Sequence, residues 1–255
     1  MAAERARTSD DAVLGGRLVL RQPRKGHRVG HDAILLAAAC SAQPGEHLAD
    51  LGAGVGAAGL AVARRLDDVT VTLVEIEDDL VHLAGINAAR NNLASRVHAV
   101  CLDVAARPAA FTAAGLAAGS VDHVLMNPPF NAAHNPSPDR RRRLAHRAGP
   151  DTLHRWLRTA ARLLRPAGAV TLIWRADGLD AVLAALAGGF GAVAVVPVHP
   201  KPAAPAIRVL VRAIKGSRAP LSLLPDFVLA DASGRPSEEA EAALREAGAL
   251  PLAER

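Results

Sequence analysis

Aromatic residues are scarce in this chain of 255 residues, which has no tyrosine, four phenylalanines and two tryptophans. Half of the residues are nevertheless apolar, so alanine, leucine and valine must fill a core of considerable size. A chain of this length fits one α/β domain with extensions, or two small domains. Because no linker divides the sequence into equal halves, we expect one domain.

Cysteines are also few. Cys40 and Cys101 lie in apolar contexts without the spacing of a disulfide framework or a metal site, which predicts a reduced, cytoplasmic compartment. No apolar run approaches the roughly 20 residues of a membrane span and no signal peptide opens the chain, so we expect no membrane association. His27 and His31 lack a helical pattern and a third ligand, so no metal is expected.

The charge balance is mildly basic. The formal net charge is only +5, but the isoelectric point of about 10.2 reflects an excess of arginine and lysine. Such a balance permits a polyanionic partner such as nucleic acid without requiring one. The sequence does not indicate an oligomeric state.

Strands and helices alternate from Glu46 onward. We expect seven strands, at residues 47–50, 69–75, 97–103, 121–127, 169–174, 192–198 and 207–214. Helices are expected at residues 33–40, 57–66, 78–92, 151–164, 179–187 and 237–247, with Asp32 and Asp78 capping the first and third. Residues 1–11 are predicted to be frayed, and residues 14–21 to form a short strand or hairpin arm. The last two strands are joined without a helix, which predicts an antiparallel pair.

The glycine-rich turn Gly52-Ala-Gly54-Val-Gly56 follows the first predicted strand and opens a helix. Glycines let a backbone approach a ligand, and the amides at a helix start point at whatever lies there. Glu75 ends the second strand, where its carboxylate can accept hydrogen bonds from both ribose hydroxyls of an adenosine. The turn also satisfies the Gly-x-Gly-x-x-Ala pattern, so a nicotinamide dehydrogenase is one alternative.

Two carboxylates favour S-adenosylmethionine (SAM) over a dinucleotide. Asp50 precedes the first glycine by two residues, where it can order the turn and face a cationic methionine group. In a dinucleotide site that charge would lie near a pyrophosphate, which is unfavourable. Asp103 ends the third strand, where it can accept hydrogen bonds from the amino group of adenine. A third feature is the Asn-Pro-Pro-Phe segment after the fourth strand. Each of these carboxylates alone is more often a helix cap or a turn former, but four aligned strand ends with Asp50, Glu75, Asp103 and Asn127 predict a SAM site.

The fourth strand runs directly into Asn127-Pro128-Pro129-Phe130. Proline lacks a backbone donor and restricts the residue before it, so the double proline ends the strand abruptly. The Asn127 side chain and the neighbouring carbonyls are therefore held in one orientation at the carboxyl edge of the sheet, where open α/β sheets bind ligands.

These motifs resemble the small-domain branch of the class I SAM-dependent methyltransferases, and within it the tRNA1(Val) adenine-N6-methyltransferase-like family. The resemblance is carried by Arg21-Gln-Pro-Arg-Lys-Gly-His-Arg-Val-Gly-His-Asp-Ala-Ile-Leu-Leu-Ala37, Ala49-Asp-Leu-Gly-Ala-Gly-Val-Gly56, Val74-Glu-Ile-Glu77, Met126-Asn-Pro-Pro-Phe130, Leu163-Leu-Arg-Pro-Ala-Gly168 and Arg208-Val-Leu-Val-Arg-Ala-Ile-Lys-Gly216. It implies an α/β fold with a seven-stranded, mostly parallel Rossmann-like sheet, an antiparallel last strand and helices on both faces. We divide the chain accordingly into an N-terminal extension and cofactor-lid segment (1–44), a methyltransferase core (45–216) and a C-terminal tail packed on the core (217–255).

The resemblance also implies residue roles. Asn127 and the Pro128 carbonyl would accept both N–H groups of an amino nitrogen, and Phe130 would stack on the base. Asp32 either closes over the methionine end of SAM or serves as a helix N-cap. The implied catalytic residues are Asn127, Pro128, Pro129 and Phe130. The implied cofactor residues are Asp32, Asp50, Gly52, Ala53, Gly54, Gly56, Glu75, Ile76, Asp103, Val104 and Asn127. The implied substrate residues are Lys25, Arg28, Phe130, Arg140, Arg141, Arg142 and Arg143.

The leading functional prediction is an enzyme that uses SAM to methylate an exocyclic amino group, adenine N6 in tRNA or another RNA. Alternatives with the same chemistry are a protein glutamine amide, guanine N2 in rRNA and adenine N6 in DNA. An alternative of another class is a non-catalytic nucleic-acid-binding module that keeps a SAM fold. One departure concerns the substrate side: the loop after Phe130 contains Leu144-Ala-His-Arg-Ala148, without the glutamate that the family usually carries there.

Overall fold

The computed structural model describes residues 8–25, 28–129 and 151–253, and a central sheet organises them. Eleven strands lie in these ranges: β1 Thr8–Val13, β2 Leu18–Pro23, β3 His47–Leu51, β4 Thr70–Glu75, β5 Val97–Cys101, β6 Val121–Met126, β7 Leu164–Arg175, β8 Phe190–His199, β9 Arg208–Lys215, β10 Ser222–Leu223 and β11 Phe227–Val228. Seven of them form the sheet proper, in the order β8-β9-β7-β6-β3-β4-β5. Six of these seven strands run in the same direction, and β9 runs opposite to them between β7 and β8.

This topology confirms the predicted seven-stranded, mostly parallel sheet with a reversed last strand. The hydrogen-bonded pairs of β9 with β7 and β8 follow from the connection between β8 and β9, which has no helix in it. Two short strands that the sequence did not predict, β10 and β11, pair with β8 in parallel and cover that edge of the sheet. A covered edge offers fewer unpaired backbone groups to other chains.

Seven α-helices lie within the described ranges: α1 His31–Ala38, α2 Ala57–Arg65, α3 Asp78–Arg90, α4 Pro108–Ala113, α5 Thr152–Leu163, α6 Leu179–Leu186 and α7 Glu238–Arg245. They cover both faces of the sheet because successive strand residues point to opposite sides. In β3, Leu48 packs with α1, α2 and α3, whereas Ala49 and Leu51 pack with α4, α5 and α6. No helix in these ranges is both long and apolar enough to span a membrane.

The N-terminal hairpin corrects one prediction. Residues 8–11 are not frayed but belong to β1, which pairs with β2 in antiparallel fashion from Thr8 to Val13. Leu18 and Leu20 of β2 are fully buried, so the hairpin is fixed to the core. Asp10, which made this segment look unstructured, forms ion pairs with Arg21 and Arg90 at 3.0 Å.

The start of α1 corrects a second prediction. Its N-cap is Gly30, which makes no side-chain cap bond, and Asp32 lies inside the first helical turn. The Asp32 carboxylate instead accepts a hydrogen bond at 2.9 Å from Nε of Arg208 at the start of β9. An ion pair with a residue remote in sequence has therefore replaced the local cap. Asp78 is likewise the first residue of α3 rather than its N-cap, which is Glu77.

The residues after 216 pack on the α1 side of the sheet. Ser237 begins α7 as its N-cap and accepts a hydrogen bond at 3.0 Å from the Ala240 amide. Leu250 and Leu252 are buried, and the Leu250 amide donates to the Ala38 carbonyl at 2.9 Å. These contacts join the tail to the same core as α1, while the division of the chain at residues 44 and 216 stays a prediction.

Candidate functional site

The carboxyl ends of β3 and β6 lie side by side in the middle of the sheet. Leu51 pairs with Met126, and each is the last residue of its strand. The next residues are Gly52 and Asn127, so the glycine-rich turn and the Asn-Pro-Pro segment leave neighbouring strands at the same level. Adjacent strands are about 4.8 Å apart. The fold therefore brings together the predicted cofactor turn and the predicted acceptor segment.

The ends of β4 and β5 continue this edge on the other side of β3. Glu75 and Cys101 are the last residues of these strands and pair with each other. Asp103 follows two residues later, is exposed, and its Oδ1 accepts a hydrogen bond from the Ala105 amide at 2.8 Å. Since β6, β3, β4 and β5 are consecutive in the sheet, all four predicted strand ends line one edge.

Asp50 lies beneath the glycine-rich turn and is 3% exposed. Its Oδ2 accepts a hydrogen bond from the amide of Gly59, in the first turn of α2, at 2.9 Å. The N-cap of α2 is Gly56, which has no side chain, so Asp50 supplies the side-chain acceptor that an N-cap residue normally provides. The Asp50 carboxylate thus binds the helix that follows the turn, and its predicted contact with the methionine group of SAM stays a prediction.

The charge of Asp50 is poorly stabilised in this environment. Burial raises the pKa of its carboxyl to about 7, although the hydrogen bond from Gly59 lowers that pKa, and the nearby charge of Glu75 raises it further. A cation next to Asp50 would favour the ionised form. The site therefore suits a positively charged ligand better than a phosphate.

Glu75 fixes the glycine-rich turn and the segment that follows β4. Its Oε2 accepts from the Gly54 amide at 2.9 Å, and its Oε1 accepts from the amides of Ile76 and Glu77 at 2.7 and 2.9 Å. A carboxylate has about four acceptor positions. One further hydrogen bond is therefore possible without displacing an amide, so accepting both ribose hydroxyls would require Glu75 to release one of its present partners.

An apolar surface and open space lie beside these polar groups. Ile76 is a large hydrophobic residue that is 43% exposed although it directly follows the buried Glu75. A Cβ added to Gly54 would meet no atom within 4 Å, so the backbone can be approached there. Carboxylates near an exposed apolar side chain and an open glycine backbone fit a nucleoside with a cationic tail, which is the chemistry of SAM.

Trp156 is a site residue that the sequence did not predict. A Cβ added to Gly52 would lie 2.4 Å from its Cη2 atom, so the ring packs directly on the glycine-rich turn. Gly52 also has a φ of +72°, which favours glycine. Trp156 lies on α5 and packs against the apolar cluster on that side of the sheet, and only the packing of α5 against the sheet brings it to the turn.

The loop after β5 is fastened to α5. Val104 is buried, and its carbonyl accepts a hydrogen bond at 2.8 Å from Oγ1 of Thr159. This bond holds the segment that contains the predicted cofactor residues Asp103 and Val104.

The described part of the acceptor segment ends at Pro129. Pro128 is buried, and Asn127 and Pro129 are partly buried. The predicted substrate residues Phe130, Arg140, Arg141, Arg142 and Arg143 lie outside the described residues, so their roles stay predictions.

The other predicted substrate residues lie in the loop after β2. Lys25 is exposed, whereas Arg28 forms an ion pair with Asp11 at 2.8 Å and donates to Oγ of Ser9 at 3.1 Å. Gln22 is buried and holds this loop, because its Oε1 accepts from the Val29 amide at 2.9 Å. Arg28 is thus tied to the hairpin, while Lys25 points to solvent.

Asp32 is held at the carboxyl edge of the sheet by Arg208 of β9. Arg208, its ion-pair partner, begins β9 and pairs in the sheet with Arg175 at the carboxyl end of β7. The predicted contact of Asp32 with the methionine end of SAM stays a prediction. Within the residues that the structure describes, no group of three or more His, Cys, Asp or Glu side chains is arranged to hold a metal ion.

The known proteins that this chain resembles are methyltransferases. The family model "methyltransferase small domain" matches residues 27–201. The chain is 29% identical over 171 residues to the tRNA1(Val) (adenine(37)-N6)-methyltransferase of Tolumonas auensis, an alignment that covers 66% of this chain and 68% of that enzyme. It is 29% identical over 184 residues to the enzyme of that name from Phocaeicola vulgatus, covering 72% and 75%. Other enzymes with this name are covered over only 60% to 62% of their length.

A solved structure is similar over almost its whole length. It is the crystal structure of protein Atu636 from Agrobacterium tumefaciens, described as a predicted O-methyltransferase. The two share 30% sequence identity with a TM-score of 0.73, and the match covers 86% of this chain and 98% of that one.

Proposed function

The chain belongs to the methyltransferase small-domain family and is a SAM-dependent methyltransferase, and we propose that it methylates an exocyclic amino nitrogen, adenine N6 in tRNA. One observation carries the choice of acceptor atom. Asn127 and Pro128 leave β6 directly beside Gly52 of the cofactor turn, because Met126 pairs with Leu51. Two hydrogen-bond acceptors thus lie next to the predicted position of the cofactor.

An exocyclic amino nitrogen is a poor nucleophile because its lone pair is delocalised into the ring. Asn127, through its side-chain oxygen, and Pro128, through its carbonyl, would each accept one N–H of the amino group. Two acceptors in these positions favour a pyramidal nitrogen with a localised lone pair. The nitrogen becomes cationic as it gains a methyl group, and the same two oxygens hold its protons until one leaves. Pro128 and Pro129 keep this geometry rigid.

When bound, SAM supplies an electrophilic methyl group on a sulfonium sulfur. Asp50 would stabilise the positive charge of the ligand, Glu75 would accept a hydrogen bond from its ribose, and Ile76 would pack on its adenine. Asp103, exposed beyond the end of β5, would accept from the adenine amino group. The contribution of these residues is orientation and exclusion of water.

The nucleic-acid part of the proposal rests on the relatives, whose names state that they act on adenine in tRNA1(Val). A base in a paired or stacked segment would have to be turned out of the stack to reach Asn127. We assign the stacking contact to Phe130 and phosphate contacts to Lys25 and to Arg140–Arg143.

The name of the Agrobacterium structure suggests another acceptor, an oxygen atom. A hydroxyl oxygen carries one proton, so one of the two acceptors on Asn127 and Pro128 would have no donor to bind, which disfavours this substrate. A glutamine amide, guanine N2 and adenine N6 in DNA all present the required NH₂ group. These three substrates differ from adenine in tRNA in the molecule that bears the NH₂ group, which is a protein, an rRNA or a DNA.

The experiment is incubation of the full chain with tritiated SAM and separate pools of tRNA, rRNA, DNA and protein. We expect label in tRNA, recovered as N6-methyladenosine after digestion. Label in protein glutamine, in DNA or on an oxygen atom would overturn the proposed substrate and identify the alternative.

The role of Asn127 is tested in the same assay. Asn127→Ala should lower methyl transfer by about 100-fold or more, a loss comparable to removing one well-placed polar group from an active site. SAM affinity, measured by calorimetry, should stay within about twofold of the wild type because the cofactor turn is intact. Asn127→Asp, which keeps an acceptor oxygen, should retain more activity than the alanine variant. Near-normal turnover by Asn127→Ala would show that this segment does not hold the acceptor.

A further inference from the structure

A single buried amide joins the N-terminal hairpin to the cofactor turn. Asn87 of α3 has no exposed surface. Its Oδ1 accepts from the Arg21 amide at 2.7 Å, and its Nδ2 donates to the Arg21 carbonyl and to the Val55 carbonyl, each at 3.0 Å. Both hydrogens of the amide and one lone pair of its oxygen are thus used on the backbone of two separate segments.

Asn91, four residues later, makes the same pair of hydrogen bonds to β2 but has no bond to Val55. Its Oδ1 accepts from the Val19 amide and its Nδ2 donates to the Val19 carbonyl, both at 3.0 Å. Among the residues that the structure describes, the Asn91 side chain makes no hydrogen bond to the cofactor turn, and its Nδ2 also donates to the Asn87 carbonyl at 2.8 Å. Asn87 of α3 and Asn91, the C-cap of α3, therefore bind the edge of β2 as a neighbouring strand would, and only Asn87 also reaches the turn.

The two segments that Asn87 joins are both parts of the predicted binding surface. Val55 stands between Gly54, whose amide binds Glu75, and Gly56, the N-cap of α2. On the other side, Arg21 is followed by Gln22, which holds the loop that carries Lys25.

We propose that Asn87 is a positioning residue that couples cofactor binding at the glycine-rich turn to the hairpin and its basic loop. The two hydrogens of one NH₂ group lie in one plane at a fixed angle. A shift of the Val55 carbonyl that rotates this amide also changes the bond to the Arg21 carbonyl. Ordering of the turn by a cofactor therefore orders β2, and by linkage an ordered hairpin raises the affinity of the turn for the cofactor.

Amide hydrogen exchange measured by NMR on the full chain tests this coupling, with S-adenosylhomocysteine as the ligand. In the wild type, ligand should slow exchange of the Arg21 amide by about tenfold, although this amide lies in the hairpin and not in the cofactor turn. An unchanged Arg21 exchange rate in the saturated wild type would overturn the proposal without any variant.

The variants Asn87→Ala and Asn91→Ala form a matched pair, because each loses two bonds to β2 and only the first loses the bond to the turn. Asn87→Ala should weaken S-adenosylhomocysteine binding by about fivefold to tenfold and abolish the response of the hairpin to ligand. Asn91→Ala should speed exchange of the Val19 amide but leave the ligand dissociation constant within about twofold. Equal effects of the two substitutions on ligand binding would mean that Asn87 acts only through stability.

Thermal unfolding of both variants shows whether they are folded at the assay temperature. If the Asn87→Ala variant is unfolded, Asn87→Ser replaces it, since a single O–H can donate to only one of the two carbonyls that Asn87 binds. The ligand is S-adenosylhomocysteine and no acceptor is present in these measurements. A wrong assignment of the methylated molecule would therefore leave their outcome unchanged.

Discussion

Asp50 should make cofactor affinity depend on pH. Burial raises the pKa of its carboxyl to about 7, against an ordinary value of 3.8. The free protein therefore holds a proton on this group near neutrality, whereas a cationic ligand favours the ionised carboxylate. Binding of SAM below about pH 7 should accordingly release the Asp50 proton, and affinity should rise as the pH rises through this range.

The size of the effect follows from the pKa. If only the ionised form binds, the dissociation constant is multiplied by one plus ten to the power of the pKa minus the pH. That factor is about 11 at pH 6 and about 1.1 at pH 8, so affinity should differ by roughly tenfold, or about 1.4 kcal/mol. At pH 7, on the order of half a proton should be released per ligand bound.

Titration calorimetry in two buffers of different ionisation enthalpy measures both quantities at about pH 6, 7 and 8. Asp50→Asn is the control, because its side-chain oxygen can still accept the Gly59 amide but cannot titrate. The amino group of the ligand titrates alike with both proteins, so the difference between them isolates Asp50. The same pH dependence in both proteins, or no proton release from the wild type at pH 7, would refute the reasoning.

Three further outcomes are expected. A raised carboxyl pKa stabilises the fold at low pH, and this contribution is lost as the pH rises from the ordinary pKa of 3.8 to about 7. In guanidinium titrations Asp50→Asn should therefore exceed wild-type stability by up to about 4 kcal/mol at pH 8, and this gain should shrink as the pH falls and vanish only near pH 4. Gly52→Ala should weaken SAM binding by about tenfold or more in calorimetry, because its Cβ would collide with Trp156. Adding Trp156→Leu should restore only part of the lost affinity, because the φ of +72° remains unfavourable for alanine. Thr159→Val should lower the free energy of unfolding in urea by about 1 kcal/mol, because it leaves the buried Val104 carbonyl without its donor; an unchanged value would mean that water replaces the hydroxyl.

The strand ends of the site could be predicted because they depend on local pattern and on one rule of topology. A β-branched or apolar run that stops at Glu75 or Asn127 identifies the end of a strand, and parallel strands present all such ends at one edge. The antiparallel β9 followed from a connection without a helix. These predictions do not depend on tertiary contacts between individual side chains.

The residues that support the site could not be predicted, because their partners are remote in sequence. Asn87 binds Arg21 across 66 positions, and Asp32 binds Arg208 across 176. The second case explains why the local prediction of an N-cap was wrong: a guanidinium from β9 outcompetes the amides at the start of α1. In β1, polar residues concealed a strand whose stability comes from β2 and from ion pairs of Asp10.

The glycine spacing of the turn allows two ligands, SAM and a dinucleotide, and the buried Asp50 carboxyl beneath it should favour the first. A pyrophosphate at this turn would add negative charge near Asp50 and Glu75, raise the pKa of Asp50 still further and be repelled by any fraction that stays ionised. A sulfonium and an ammonium group have the opposite effect, because they stabilise the carboxylate that burial has destabilised. The position of Asp50 beneath the turn is fixed, because its carboxylate also accepts the hydrogen bond from Gly59 in the first turn of α2. We therefore expect Asp50 to favour a cationic cofactor over a dinucleotide at this turn.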